Sequence, residues 1–199
     1  MKFGSKGGYT GVEFTVSIAI VAILAGLALP AISHLFIKAS EAQTLKNGQT
    51  IALLASYPME DRKNTADTNI IGWPGTNTSF AIWVRSLTNA QVTPPITRKM
   101  IAQLFSAPGV KFQDFPEYVE GKTAFRIYTT SKDSRADTVL LSTYNWNAEN
   151  SGPLSSKNVP YGDRGFIVVR LGGDAVFYSA KQATNASSFF GTVTKNVRP

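Results

Sequence analysis

"GGYTGVEFTVSIAIVAILAGLALP", residues 7–30, decides how the rest of the chain is read. The stretch is almost wholly apolar, yet it carries one carboxylate, Glu13, and Gly7-Gly8 stand at its head. From Phe14 to Ile37 there is no Asp, Glu, Lys or Arg. As a helix rising about 1.5 Å per residue, that run is about 36 Å long, against about 30 Å for a hydrocarbon core. An acid in hydrocarbon costs about 2.5–3.5 kcal/mol on insertion scales, so Glu13 needs a compensating partner.

Two ordinary explanations account for part of this pattern. A cleaved secretory signal would have a basic start, an apolar run and small residues near Ala28–Ala31. Its apolar region is normally shorter than this one, and Pro30 spoils the cleavage consensus. A plain signal anchor explains the length and, with Lys2 and Lys6 ahead of the run, a cytoplasmic N-terminus. Neither explains Glu13 or the glycines.

The whole pattern resembles the N-terminal segment of the type IV pilin and type II secretion pseudopilin family. A short basic leader holding Lys2 and Lys6 ends in Gly8; the aromatic Tyr9 follows, Glu13 comes four positions later, and an apolar helix continues. Pro30 falls where such proteins commonly place a proline. The resemblance covers residues 1–55 closely and the remainder only in layout. It implies that a prepilin peptidase cuts between Gly8 and Tyr9 and that Tyr9 is then N-methylated. It also implies three kinds of partner: other pilin or pseudopilin subunits, that peptidase, and an inner-membrane assembly platform driven by a cytoplasmic ATPase. The implied location is the bacterial inner membrane, with the head in the periplasm, and afterwards a pilus or pseudopilus filament.

Physical chemistry agrees with that layout. Glycine lacks Cβ and resists continuing a helix, so Gly7-Gly8 offers a protease an uncrowded, extended peptide. Cleavage would leave a cationic amine on Tyr9. In a bundle of identical helices this amine can neutralise Glu13 of a neighbour, a pairing favourable in low dielectric only when both partners are present. Glu13 is thus expected to select correctly staggered subunits. Gly11 and Thr15 stand where larger apolar residues are usual, and Gly11 weakens the first turn by about 1 kcal/mol relative to alanine. Pro30 lacks an amide donor and should kink the helix.

Beyond the membrane run the chain holds 18 basic and 12 acidic residues, scattered so that no basic run is longer than Arg98-Lys99. Between Lys38 and Ser56 the pattern is amphipathic: Ala39, Ala42, Leu45, Ala52 and Leu53 recur at helical spacing. Gly48 interrupts this helix without evident cause, and Pro58 should end it at or before Tyr57. Residues 57–79 read as a long loop. Helical faces follow at Phe80, Trp83, Val84 and Leu87, then at Ile96, Met100, Ile101, Leu104 and Phe105; residues 106–122 return to turn chemistry. Strands are expected in 123–130, 138–144, 165–171 and 175–180, the last two joined by a hairpin at Gly172-Gly173-Asp174.

The expected fold is therefore α+β and pilin-like: a long N-terminal transmembrane and amphipathic helix on a small antiparallel β-sheet head with extra short helices. Its divisions are a leader (1–8), the long helix (9–56, with 9–37 transmembrane) and a head (57–199). Within the head, 57–122 is loop and short helices, and 123–199 is antiparallel sheet.

Little in the head suggests reaction chemistry. There is no cysteine, and the sole histidine, His34, lies at the end of the membrane run. Thiolate chemistry, a Ser-His-Asp triad and a histidine metal site in the head are thereby excluded. The loop carboxylates Asp133, Asp137, Asp163 and Asp174 offer the hard oxygens calcium takes, but Lys132, Arg135 and Arg164 sit among them. They read as solvated turns, and no cofactor is expected. Trp73, Trp83, Tyr144, Trp146, Tyr161 and Tyr178 read as core and loop anchors. No concentrated basic stripe accompanies them, so nucleic acid is not an expected partner.

Overall fold

The computed structural model describes residues 10–61, 79–89, 95–110, 123–131, 133–154 and 160–195. Side chains at 28, 30, 31, 33, 57–61, 85, 86 and 89 lie outside the description. The elements are helices α1 (Gly11–Asp61), α2 (Phe80–Asn89) and α3 (Arg98–Leu104), then strands β1 (Phe125–Ile127), β2 (Val139–Thr143), β3 (Gly165–Arg170) and β4 (Ala175–Ser179). Two short 3-10 turns, Ala180–Gln182 and Ser187–Phe189, follow the last strand. This is an α+β architecture with a four-stranded antiparallel sheet in the order β1-β2-β3-β4. The chain forms two compact units, Met1–Ala39 and Ser40–Pro199.

In the first unit α1 exposes its apolar side chains, among them Val12, Phe14, Ile18, Leu24, Leu27 and Phe36. The hydroxyls within the run are satisfied locally: Thr15 Oγ1 donates to the Gly11 carbonyl at 2.9 Å and Ser17 Oγ to the Glu13 carbonyl at 2.8 Å. Back-bonding of this kind lets a helix carry hydroxyls without open donors. The helix continues through Pro30. Among the described residues no helix is long and apolar enough to cross a membrane.

In the second unit, Ile51, Ala52, Leu54 and Ala55 of α1 pack with Trp83 and Leu87 of α2 and Ile101 of α3 against one face of the sheet. That face consists of Phe125, Ile127, Leu141, Ile167 and Val169. The alternation along β3 then turns Phe166 and Val168 to the opposite face, where they meet Tyr128, Trp146, Tyr178 and Phe190. Both faces are covered, which is why the interior strands read as apolar runs. Side chains set the helix starts. Thr97 accepts from the Met100 amide at 3.2 Å and Ser79 from the Ile82 amide at 3.3 Å, each satisfying a donor the first turn leaves open.

Gly48 has a tertiary explanation. A Cβ at this position would lie 2.6 Å from Val169 Cγ2 and 3.5 Å from Phe125 Cζ, so the missing side chain is what lets α1 approach the sheet. Tyr161 fixes the same stretch of helix: its hydroxyl donates to Thr44 Oγ1 at 2.6 Å, and the Thr44 hydroxyl donates onward to the Ser40 carbonyl at 2.9 Å. It does so from the left-handed backbone region (φ 68°), which costs an ordinary residue about 1–2 kcal/mol.

Three expectations need correction. The helix passes Pro58 and ends at Asp61; a proline withdraws a single amide donor, and here that loss falls in the final turns. Of the loop expected over 57–79, residues 57–61 are helical, and 62–78 lie outside the described residues. Among the described residues the last strand of the sheet ends at Ser179, short of the sheet expected over 123–199. The segment after it folds back over the second face, where Phe190 is fully buried and the Val139 amide donates to the Thr192 carbonyl at 2.9 Å.

The second face is also knit by a buried hydroxyl. Tyr128 Oη accepts the Ala148 amide at 2.8 Å and lies 2.9 Å from Ser142 Oγ, and burial raises its pKa to about 12. The folded state thus holds this proton more tightly than the unfolded chain, whose tyrosines titrate near 10. The stabilisation is complete below about pH 10 and is lost as pH rises toward 12. Tyr128→Phe leaves the Ala148 amide without its acceptor and should cost about 1–3 kcal/mol at pH 7. Chemical denaturation at pH 7, 10 and 11.5 checks both points: the variant should be weaker at neutral pH and should lose less stability on the alkaline side.

Candidate functional site

The residues expected to carry function lie at the start of α1. Gly8 and Tyr9, the expected cleavage and methylation site, fall outside the described residues. Thr10 and Glu13 are described, and their geometry is specific. The Thr10 amide donates to Glu13 Oε2 at 2.8 Å, and the Thr10 hydroxyl donates to the same oxygen at 2.9 Å. In return Thr10 Oγ1 accepts the Glu13 amide at 3.3 Å. Thr10 precedes the first helical residue, Gly11, so Glu13 occupies the third helical position and the pair forms a capping box.

The sequence carries the box's signature, Thr10-x-x-Glu13 ahead of an apolar run, a signal separate from any assembly role of Glu13. It supplies a local reason for the acid. A carboxylate in the first turn satisfies an open backbone donor and favours the positive end of the helix dipole. Both Thr10 donors converge on Oε2, and among the described residues no donor meets Oε1. One carboxylate oxygen is therefore committed within its own helix, on a side chain that is itself exposed.

His34 is exposed on α1. The backbone at Pro30 is helical, while its side chain is outside the description. Trp83, Trp146, Tyr161 and Tyr178 are buried. Trp146 stacks on Phe166 with ring centroids 4.3 Å apart and donates its indole N–H to the Ala183 carbonyl, so it is a core residue. Tyr144 lies under the Arg126 guanidinium at 4.0 Å. Trp73 is outside the described residues.

Of the loop acids, Asp137 pairs with Arg135 and Asp174 with Arg170. Among the described residues no three His, Cys, Asp or Glu side chains gather as a metal site. A groove of about 640 Å³ in the second unit runs between α1 and α3, with Asn47, Met100, Leu104 and Val110 on its walls and Lys46 as their one charge. That lining offers no acid–base pair.

Comparison with protein-family models, curated proteins and solved structures returns no match.

Proposed function

We propose that the chain is a structural subunit of a type IV pilus-like or type II secretion pseudopilus filament, processed after Gly8 and assembled through its N-terminal helix. The observation that carries this reading is a single carboxylate, Glu13, at the head of an uncharged run from Phe14 to Ile37 within a helix that reaches Asp61. Residues 9–37 would lie in the bacterial inner membrane, with the N-terminus cytoplasmic and the head periplasmic, until the subunit is drawn into the filament. Its partners would be other such subunits, the prepilin peptidase, the assembly platform and membrane lipid. The exposed apolar side chains of the first unit support the proposal, because lipid or neighbouring helices would cover them.

One observation favours a second reading. The capping box gives Glu13 a function that needs no neighbour, as expected of a membrane-anchored or secreted binding domain that never polymerises. N-terminal mass and sequence of the protein recovered from membranes separate the readings. A chain beginning at Tyr9, methylated or not, is the expected result. A start near residue 31 would identify a secreted domain, and an intact Met1 would identify a plain anchor.

A further inference from the structure

We propose that Thr10 is the positioning residue for Glu13, holding one carboxylate oxygen within its own helix so that the other is presented to the cationic group of an adjoining subunit. This inference rests on the filament reading above. A glutamate on an exposed helix surface samples several rotamers, and ordering it costs conformational entropy on association. Thr10 removes that freedom in advance: two donors of one residue, at 2.8 and 2.9 Å, fix Oε2. Oε2 is then held by the helix, and among the described residues Oε1 is the acceptor left for a partner. In hydrocarbon the same two bonds lessen the penalty on the acid before its partner arrives. Capping and pairing are therefore successive uses of one side chain, and each employs a different oxygen.

The two roles can be separated because glutamine serves at the third position of a capping box as glutamate does. Glu13→Gln keeps the cap and removes the charge. Thr10→Ser keeps both donors, whereas Thr10→Val keeps the backbone N–H and removes the hydroxyl. The experiment measures self-association of the chain beginning at Tyr9 by energy transfer in phosphatidylethanolamine/phosphatidylglycerol vesicles. It compares these variants and the Thr10→Val/Glu13→Gln double variant, with amide exchange at residues 11–14 as a control for the cap.

Glu13→Gln should weaken association at least about tenfold, and Thr10→Val about tenfold, the scale of one hydrogen bond to a charged group. Thr10→Ser should stay within about twofold, and Thr10→Val should have no further effect in the Glu13→Gln background. If Thr10→Val acts equally in both backgrounds, Thr10 is a helix cap and the positioning role is overturned. If Glu13→Gln associates as well as the natural chain, the filament reading of Glu13 falls with it. Weakening by Glu13→Gln but not by Thr10→Val overturns the inference alone and leaves that reading standing.

Discussion

Gly48→Leu is expected to be among the most destabilising single changes in the second unit. Its first added atom would sit 2.6 Å from Val169 Cγ2, well inside van der Waals contact. Val169 is fully buried on β3, and a β-branched side chain in a strand has little freedom to turn away. Phe125 closes the other side and is also fully buried. Relief must therefore come from moving the helix off the sheet. That would loosen the contacts of Ile51, Leu54 and Ala55 further along α1. Overpacking of this kind costs about 1–3 kcal/mol for small additions, and a leucine belongs at or above the upper end.

The Gly48→Ala variant sharpens the test. Alanine gains about 1 kcal/mol in helix propensity over glycine, and at an exposed helical site it would stabilise. Here the clash should outweigh the gain and leave a net loss of about 1 kcal/mol. Thermal unfolding of the detergent-solubilised chain ranks the three proteins as natural, alanine, leucine. A Gly48→Ala variant more stable than the natural chain would mean that helix and sheet do not approach this closely.

Gly48 also marks the limit of what local sequence conveys. A lone glycine in an amphipathic pattern looks the same whether it is a defect or a contact; what distinguishes them is Val169, far away in the chain. The helices at Phe80 and Arg98 were legible because their apolar residues recur at helical spacing. The β3–β4 hairpin was legible because Gly173 supplies the positive φ (89°) that its turn requires. Residues 180–195 have no comparable period. They cover the second sheet face with isolated anchors, chiefly Phe190, and with backbone hydrogen bonds that side-chain patterning does not encode. At the candidate site both residues of the box were plain in the sequence. The structure adds their sharing of a single oxygen, which depends on rotamers and not on spacing.

Gly191→Ala should detach that C-terminal cover. Gly191 has φ 131°, a region open in practice only to glycine, and a Cβ there would run into the Asp137 carbonyl oxygen. Strain and clash act together, because rotating the backbone to an ordinary φ redirects Phe190 on one side and Thr192 on the other. Phe190 then leaves Trp146, Phe166 and Tyr178, whose rings lie 4.7, 5.4 and 5.0 Å from its own. Its carbonyl also leaves Arg170 Nε, which donates to it at 2.7 Å. The expected cost is on the order of 3 kcal/mol, the upper end for a residue forced into a sparsely populated backbone region. The loss should be confined to one layer. Amide exchange should accelerate at Val139 and Thr192, whose bonds join the cover to β2 and to Asp137 just ahead of it, while Ile101 and Phe105 on the helical face keep their protection. Equal acceleration on both faces would mean that the two layers unfold as one unit and that the C-terminal segment is not a separable cover.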